Sequence, residues 1–222
     1  SRVIDKGTTY GNLPSATLSG KKFLGWFTAL EGGEQADSTT VFTEDTTLYA
    51  RFRPYQIVIT FDANGGDGEM EPFAVSSGVP AALPENTFTR DGYAFAKWTT
   101  IKNPSSWQSP KYYTDGSEYS WSSTYGDSNA TLYAIWEQTA FGMAYEAVEK
   151  ALPEDGILRP GDALELPTEG EGYTIAYTGT ELVFPESGTM EVTFTAAVTD
   201  TKINQTERKD YTLTLYSSKT VQ

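Results

Sequence analysis

Cysteine and histidine are both missing from the 222 residues of this chain. Without Cys there is no disulfide to hold a small domain together. Without His the chain lacks the side chain that most often serves as general base near neutral pH and as metal ligand. The two absences together exclude Cys/His zinc sites and nucleophiles driven by a histidine base. Positive charge is scarce as well: 16 Lys and Arg face 30 Asp and Glu, for a formal net charge of −14. That balance argues against nucleic acid, whose binding rests on Lys and Arg neutralising phosphates, and against an anionic membrane surface. No apolar run approaches the roughly 18 residues of a membrane span, so direct membrane insertion by this segment is not expected. The chain opens on Ser1 without a signal-peptide pattern. It reads as a segment of a longer polypeptide whose export signals and anchor lie outside it. Lack of Cys does not point to the cytoplasm, because an exported chain with no thiols cannot misoxidise.

Aromatic residues are plentiful, with 14 Tyr, 11 Phe and 5 Trp, and large rings can build small cores. They recur in order. Gly20-Lys-Lys-Phe23-Leu-Gly-Trp26 and Gly92-Tyr-Ala-Phe95-Ala-Lys-Trp98 share Gly, Phe and Trp at the same spacing. Leu13-Pro14 and Leu83-Pro84 precede them, and Thr47-Leu-Tyr-Ala-Arg-Phe52 and Thr131-Leu-Tyr-Ala-Ile-Trp136 follow. Four landmarks in one order, twice, are an internal repeat. The reading is a repeat module at 1–53, a second at 54–137 and a third domain at 138–222. The recurring Phe and Trp are expected to anchor the module cores.

The second repeat opens with Gln56-Ile-Val-Ile-Thr-Phe-Asp62, whose alternation predicts a half-buried strand. The first repeat has no such strand and reads as truncated at its N-terminus. The open edge this leaves invites pairing with another chain, so an edge-strand dimer is expected. After the opening strand comes Asp62-Ala-Asn-Gly-Gly-Asp-Gly68, which has some flavour of a calcium loop. The loop pattern needs an oxygen ligand at position 5 and Gly at position 6; Gly66 and Asp67 stand there instead, so a Gly-rich turn is expected and no metal. The second repeat also carries an insertion. Trp26 to Leu48 is 22 positions, whereas Trp98 to Leu132 is 34, and the extra residues fall within about 99–126. This stretch holds Trp107, Tyr112, Tyr113, Tyr119, Trp121 and Tyr125. Loops often carry function, and these six are the candidate ligand-binding residues. Against that stands the plainer reading that the rings pack back on the module.

Ile59-Thr-Phe-Asp-Ala-Asn-Gly-Gly66, the Leu-Pro pair, Arg90-Asp-Gly-Tyr-Ala-Phe-Ala-Lys-Trp98 and Thr131-Leu-Tyr-Ala-Ile-Trp136 resemble the Listeria–Bacteroides repeat, or internalin B-repeat. The resemblance covers residues 1–137. It departs at Lys97, where the family usually has the Gly found at Gly25. It implies small β-grasp-like modules, strung along exported bacterial proteins.

Residues 138–222 differ in character. Ala144–Leu152 is spaced as a short helix stopped by Pro153. Gly172-Tyr-Thr-Ile-Ala-Tyr177, Met190–Val198 and Tyr211–Leu215 alternate as strands. Their order is similar to bacterial immunoglobulin-like modules, which implies a β-sandwich, although Tyr177-Thr178 replaces the family's Trp-Ser pair. The expected fold class is therefore all-β, with at most a short helix: two repeat modules plus an immunoglobulin-like sandwich.

No residues converge as a catalytic set, and no cofactor is expected. The thirty carboxylates offer chance pairs on paper but no cleft to face across. Asn129-Ala-Thr131 and Asn204-Gln-Thr206 match the glycosylation pattern, and chance matches are expected in a bacterial chain. The resemblance implies a non-catalytic stalk, adhesion or protein-interaction segment, extracellular, at the bacterial surface or secreted. Its partner would be a protein or glycan on a host or neighbouring surface. The alternative is a carbohydrate-binding accessory module of an exported polysaccharide-degrading enzyme.

Overall fold

A computed structural model describes residues 5–9 and 11–217. Among these residues the chain is mainly strand with one short helix, as the alternating sequence segments predict. Compactness divides it into two units, Ser1–Asn64 with Gly68–Phe88 and Lys97–Ile135, and Gly65–Asp67 with Thr89–Ala96 and Trp136–Gln222.

The first repeat forms β1 (Lys21–Phe27), β2 (Gln35–Ala36) and β3 (Tyr49–Pro54) in the order β2-β1-β3. All pairs are antiparallel, with Trp26 opposite both Ala36 and Ala50. The register slips between Phe23 and Gly25. Gly25 takes φ +130 there, a conformation that L side chains rarely adopt, as a bulge requires. Phe23 lies 5.8 Å from Trp26 and 5.5 Å from Phe52, centroid to centroid. The Trp26 indole Nε1 donates to the Pro14 carbonyl at 2.6 Å. All three rings remain half-buried.

The second repeat adds β4 (Gln56–Asp62), β5 (Phe73–Ser76), β6 (Ala81–Ala82), β7 (Tyr93–Thr99), β8 (Tyr112–Tyr113), β9 (Glu118–Tyr119) and β10 (Ser128–Gln138). Five of these form one sheet, β5-β4-β10-β7-β8, while β6 and β9 pair separately. β10 runs parallel to β4, with Ser128–Tyr133 opposite Ile57–Asp62. The alternation in β4 buries Ile57, opposite Val75 of β5, and Ile59; Val75, Leu83 and Leu132 are buried too. Trp98 is fully buried, with Phe61 at 5.0 Å and Phe88 at 6.1 Å from its ring. Burying a ring of this size is the largest single apolar contribution in such a module.

After β10, Thr139 caps α1 (Ala140–Ala151), its Oγ1 accepting from Gly142 N at 3.0 Å. Gly142 is where a side chain cannot fit: a Cβ would sit 2.0 Å from the Gly92 carbonyl oxygen. Then follow β11 (Ile157–Leu158), β12 (Glu169–Gly170), β13 (Tyr173–Thr178), β14 (Thr189–Asp200) and β15 (Gln205–Tyr216). They form one sheet, β11-β15-β14-β13-β12, in which β14 and β15 make a long hairpin turned at Asn204, φ +54.

This last segment departs from the expected two-sheet sandwich. Ala144 and Val148 of α1 pack on Tyr173, Ile175, Phe194, Ala196, Val198, Tyr211 and Leu213 of a single sheet. The residues between them point the other way and include Thr193, Thr195, Thr199, Thr206 and Thr212, tied across strands by hydroxyl hydrogen bonds of 2.6–3.2 Å to each other and to Asp210. A face of threonines offers no apolar stripe for a second sheet to bury, and the helix takes the stripe there is.

Candidate functional site

The insertion begins where β7 ends. Thr99 is fully buried, its hydroxyl in reach of Ile101 N and O at 3.3 Å. Thr100 N donates to Lys111 O at 3.1 Å, and Lys111 N to Thr100 Oγ1 at 3.0 Å, closing the neck of a loop over 101–110. Its near side is pinned to the core module: Lys102 pairs with Asp62 at 3.2 Å, and Asn64 Nδ2 donates to Asn103 Oδ1 at 3.2 Å and to Ala134 O at 2.9 Å. Its tip is a turn in which Gln108 Oε1 accepts from Ser105 N and Oγ at 2.8 and 3.0 Å. Trp107 rides on that turn, 82% exposed.

The six candidate residues do not share one surface. Tyr119 is buried, and Tyr113 is half-buried with its ring 5.0 Å from Tyr119. Burial pushes both phenols above the ordinary tyrosine range. These two pack inward, as the plainer reading of the rings supposes. Trp121 is half-buried, and its carbonyl accepts from Gly78 N at 3.0 Å. Trp107, Tyr112 and Tyr125 are exposed, Tyr125 at 97%. Tyr112 carries the Lys97 ammonium 4.7 Å over its ring, which gives the residue at the departure from the repeat pattern a defined contact. Tyr125 sits on a turn where Ser77 Oγ donates to Ser123 O at 3.1 Å and accepts from Ser123 N at 2.9 Å.

Asp127 escaped the reading of the sequence, because a lone Asp after Gly126 carries no motif. Its carboxylate accepts from Arg53 at 2.7 and 2.9 Å, from Lys22 Nζ at 2.7 Å and from Gln56 N at 2.9 Å. Arg53 first, then Lys22 and the Gln56 amide, hold it far below the usual carboxylate range. One side chain thus gathers β1, β3 and the start of β4.

A shallow cleft of about 140 Å³ is lined by Asp91, Tyr93, Gln138, Tyr145, Glu146 and Lys209 among others. Two of its carboxylates are engaged: Glu146 accepts from Lys150 and from Gln138 at 2.6 Å, and Glu149 pairs with Lys209 at 2.7 Å. Small-molecule pockets run to roughly 300–1,000 Å³. Asp62, the first residue of the calcium-like stretch, accepts from Asn64 N at 2.7 Å besides pairing with Lys102. Among the described residues no three Asp or Glu gather closely enough to hold a metal ion, and no helix is long and apolar enough to cross a membrane.

The Listeria-Bacteroides repeat domain family model matches residues 1–51 and 58–135. Two curated relatives come from Evansella cellulosilytica. One, described as a "Putative Gly-rich membrane protein", is 28% identical over 168 residues, which is 70% of this chain and 18% of that protein. The other, a "Putative membrane protein", is 34% identical over 137 residues, 59% of this chain and 19% of that protein. The chain therefore spans under a fifth of the length of either. No solved structure matches it significantly.

Proposed function

The chain belongs to the Listeria-Bacteroides repeat family, and on that premise we propose that it is a surface-associated, non-catalytic segment of a bacterial cell-surface or secreted protein. It works there as a stalk that also makes adhesive contacts with proteins outside the cell. The family and the two relatives described as membrane proteins support the surface setting. The observation that carries the adhesive half is Trp107, held 82% exposed on the tip of a closed, anchored loop. An exposed Trp on a fixed turn exposes apolar area that a partner can bury, and Trp is a frequent hot spot in protein interfaces. Glycan contact is the competing reading. Buried Tyr119 and inward Tyr113 leave Trp107, Tyr112 and Tyr125 to make any sugar platform.

The test sets the chain and a Trp107→Ala/Tyr125→Ala variant against two panels, immobilised extracellular-matrix proteins and a glycan array. The proposal expects a protein on the first panel whose binding weakens by roughly tenfold or more in the variant, with nothing retained on the second. Retention on the array, lost in the variant, would move the segment to carbohydrate recognition. Silence on both panels would overturn the adhesive half.

A further inference from the structure

The loop that carries Trp107 has a counterpart in the first repeat. Trp98 stands opposite Tyr113 and Thr99 opposite Tyr112, just as Trp26 stands opposite Ala36 and Phe27 opposite Gln35. Residues 28–34 and 100–111 therefore close the same hairpin, β1–β2 in one repeat and β7–β8 in the other. The first-repeat tip is also held in place. Thr28 N donates to Glu34 O at 3.0 Å, and Thr28 Oγ1 accepts from Glu34 N at 2.9 Å. Gly33 turns the chain at φ +67, where a Cβ would sit 2.8 Å from Ala29 N. Arg51 of β3 lies with its guanidinium 4.1 Å over Phe27 and donates through Nη2 to Gly32 O and to Ala29 O, the latter at 2.8 Å. Its Nε is buried without a partner, which costs the fold stability. The second repeat has Ile135 in place of Arg51 and holds its tip through Lys102 and Asn103 instead. On the first-repeat tip stands Leu30, 70% exposed. One exposed leucine is ordinary on a protein surface. Two equivalent tips, pinned by different devices and each raising one large apolar side chain, are a repeated arrangement.

We infer that the hairpin tip around Leu30 is a second protein-contact site, equivalent in its repeat to Trp107. The occupant is a protein surface with an apolar recess for Leu30 and Lys or Arg at the rim of that recess. The apolar part follows from Leu30 itself. The charge follows from Glu31 and Glu34, both exposed on the tip, and from the lack of any Lys or Arg between residues 28 and 34. Arg51, the cation that reaches the loop, is turned onto its carbonyls and neutralises neither carboxylate. A loop already fixed in this way loses little freedom when a partner settles on it. The inference rests on the adhesive reading of Trp107 and extends it to the first repeat, so that one chain offers two contacts whose strengths combine through effective concentration.

The probes are the immobilised extracellular-matrix proteins of the panel above, read by surface plasmon resonance for the native chain, Leu30→Ser, Trp107→Ala and a Glu31→Gln/Glu34→Gln variant. All the changed side chains are exposed, and circular dichroism checks that each variant folds. On the protein that retains the native chain, Leu30→Ser should weaken binding roughly tenfold, the effect of withholding one buried leucine. The glutamate variant should associate more slowly at low salt and lose most of its salt dependence, as rim charges do. Native binding by Leu30→Ser alongside loss in Trp107→Ala would overturn this inference and leave the adhesive reading standing. Loss in Leu30→Ser alone would uphold the inference and remove Trp107 from the contact. An unchanged association rate in the glutamate variant would overturn the basic rim, and a native chain retained by no protein would overturn both readings.

Discussion

The two repeats carry the same landmarks and end in different states of burial. Phe23 and Trp26 sit on β1 as Phe95 and Trp98 sit on β7, each strand following a glycine of positive φ, Gly20 or Gly92, and Phe23–Phe52 at 5.5 Å is matched by Phe95–Trp136 at 5.9 Å. The ring pair is thus built into the repeat itself. Closure is not. Trp98 is fully buried because β4 brings Phe61 across it; Trp26, on the same strand position, is half-buried. The motif places the rings in both repeats, and in the second Phe61 of β4 lies against the buried Trp98.

The comparison can be broken most decisively at the two tryptophans. Trp98→Ala should cost about 3–5 kcal/mol, the range for removing a fully buried large ring, and Trp26→Ala about 1–2 kcal/mol, because part of its surface is already wet. Urea unfolding of both variants checks this, and equal losses would show that the first repeat is closed after all. A smaller effect tests the point where the repeats meet. The Asp127 carboxyl is depressed in the folded chain, so its contribution is complete above the unfolded carboxylate value of about 3.9 and fades as pH falls toward the folded one. Asp127→Asn should therefore melt lower than the native chain by a constant margin from pH 7 to about 5. The margin should shrink below about pH 4, as calorimetry at stepped pH would show. A margin that stays flat into acid would mean that charge plays no part. The smallest effect belongs to the insertion that only the second repeat has. Trp107→Ala should leave the unfolding free energy within about 0.5 kcal/mol of native; a larger loss would return Trp107 to the core.

Strands with one buried face were legible because alternation reports burial directly. Gln56–Asp62 is β4 as read, Lys22–Trp26 lies within β1, and Met190–Val198 and Tyr211–Leu215 lie within β14 and β15. The helix was read from Ala144 but starts at Ala140. Gly142 lowers intrinsic helix propensity, whereas its place against Gly92 demands a residue with no side chain. Which face a helix or a second sheet would cover was not legible, since inward Phe194 and Val198 suit either layer; the outward threonines settle it. In the insertion the sequence located six rings but not their directions. Tyr113 faces inward because it stands opposite Trp98 in the β7–β8 ladder, and that register depends on a turn ten residues long. Asp127 left no trace at all, because its partners Lys22 and Arg53 lie 105 and 74 residues away.

Asp127 also bears on mechanics. Lys22, Arg53 and the Gln56 amide approach its carboxylate from two repeats whose strands β3 and β4 are separated in the chain by Tyr55 alone. A one-residue link by itself would act as a swivel. With three donors fixed on one acceptor, bending at the joint must stretch hydrogen bonds, so this pair of repeats resists flexing as a lever does rather than folding back as beads on a string would.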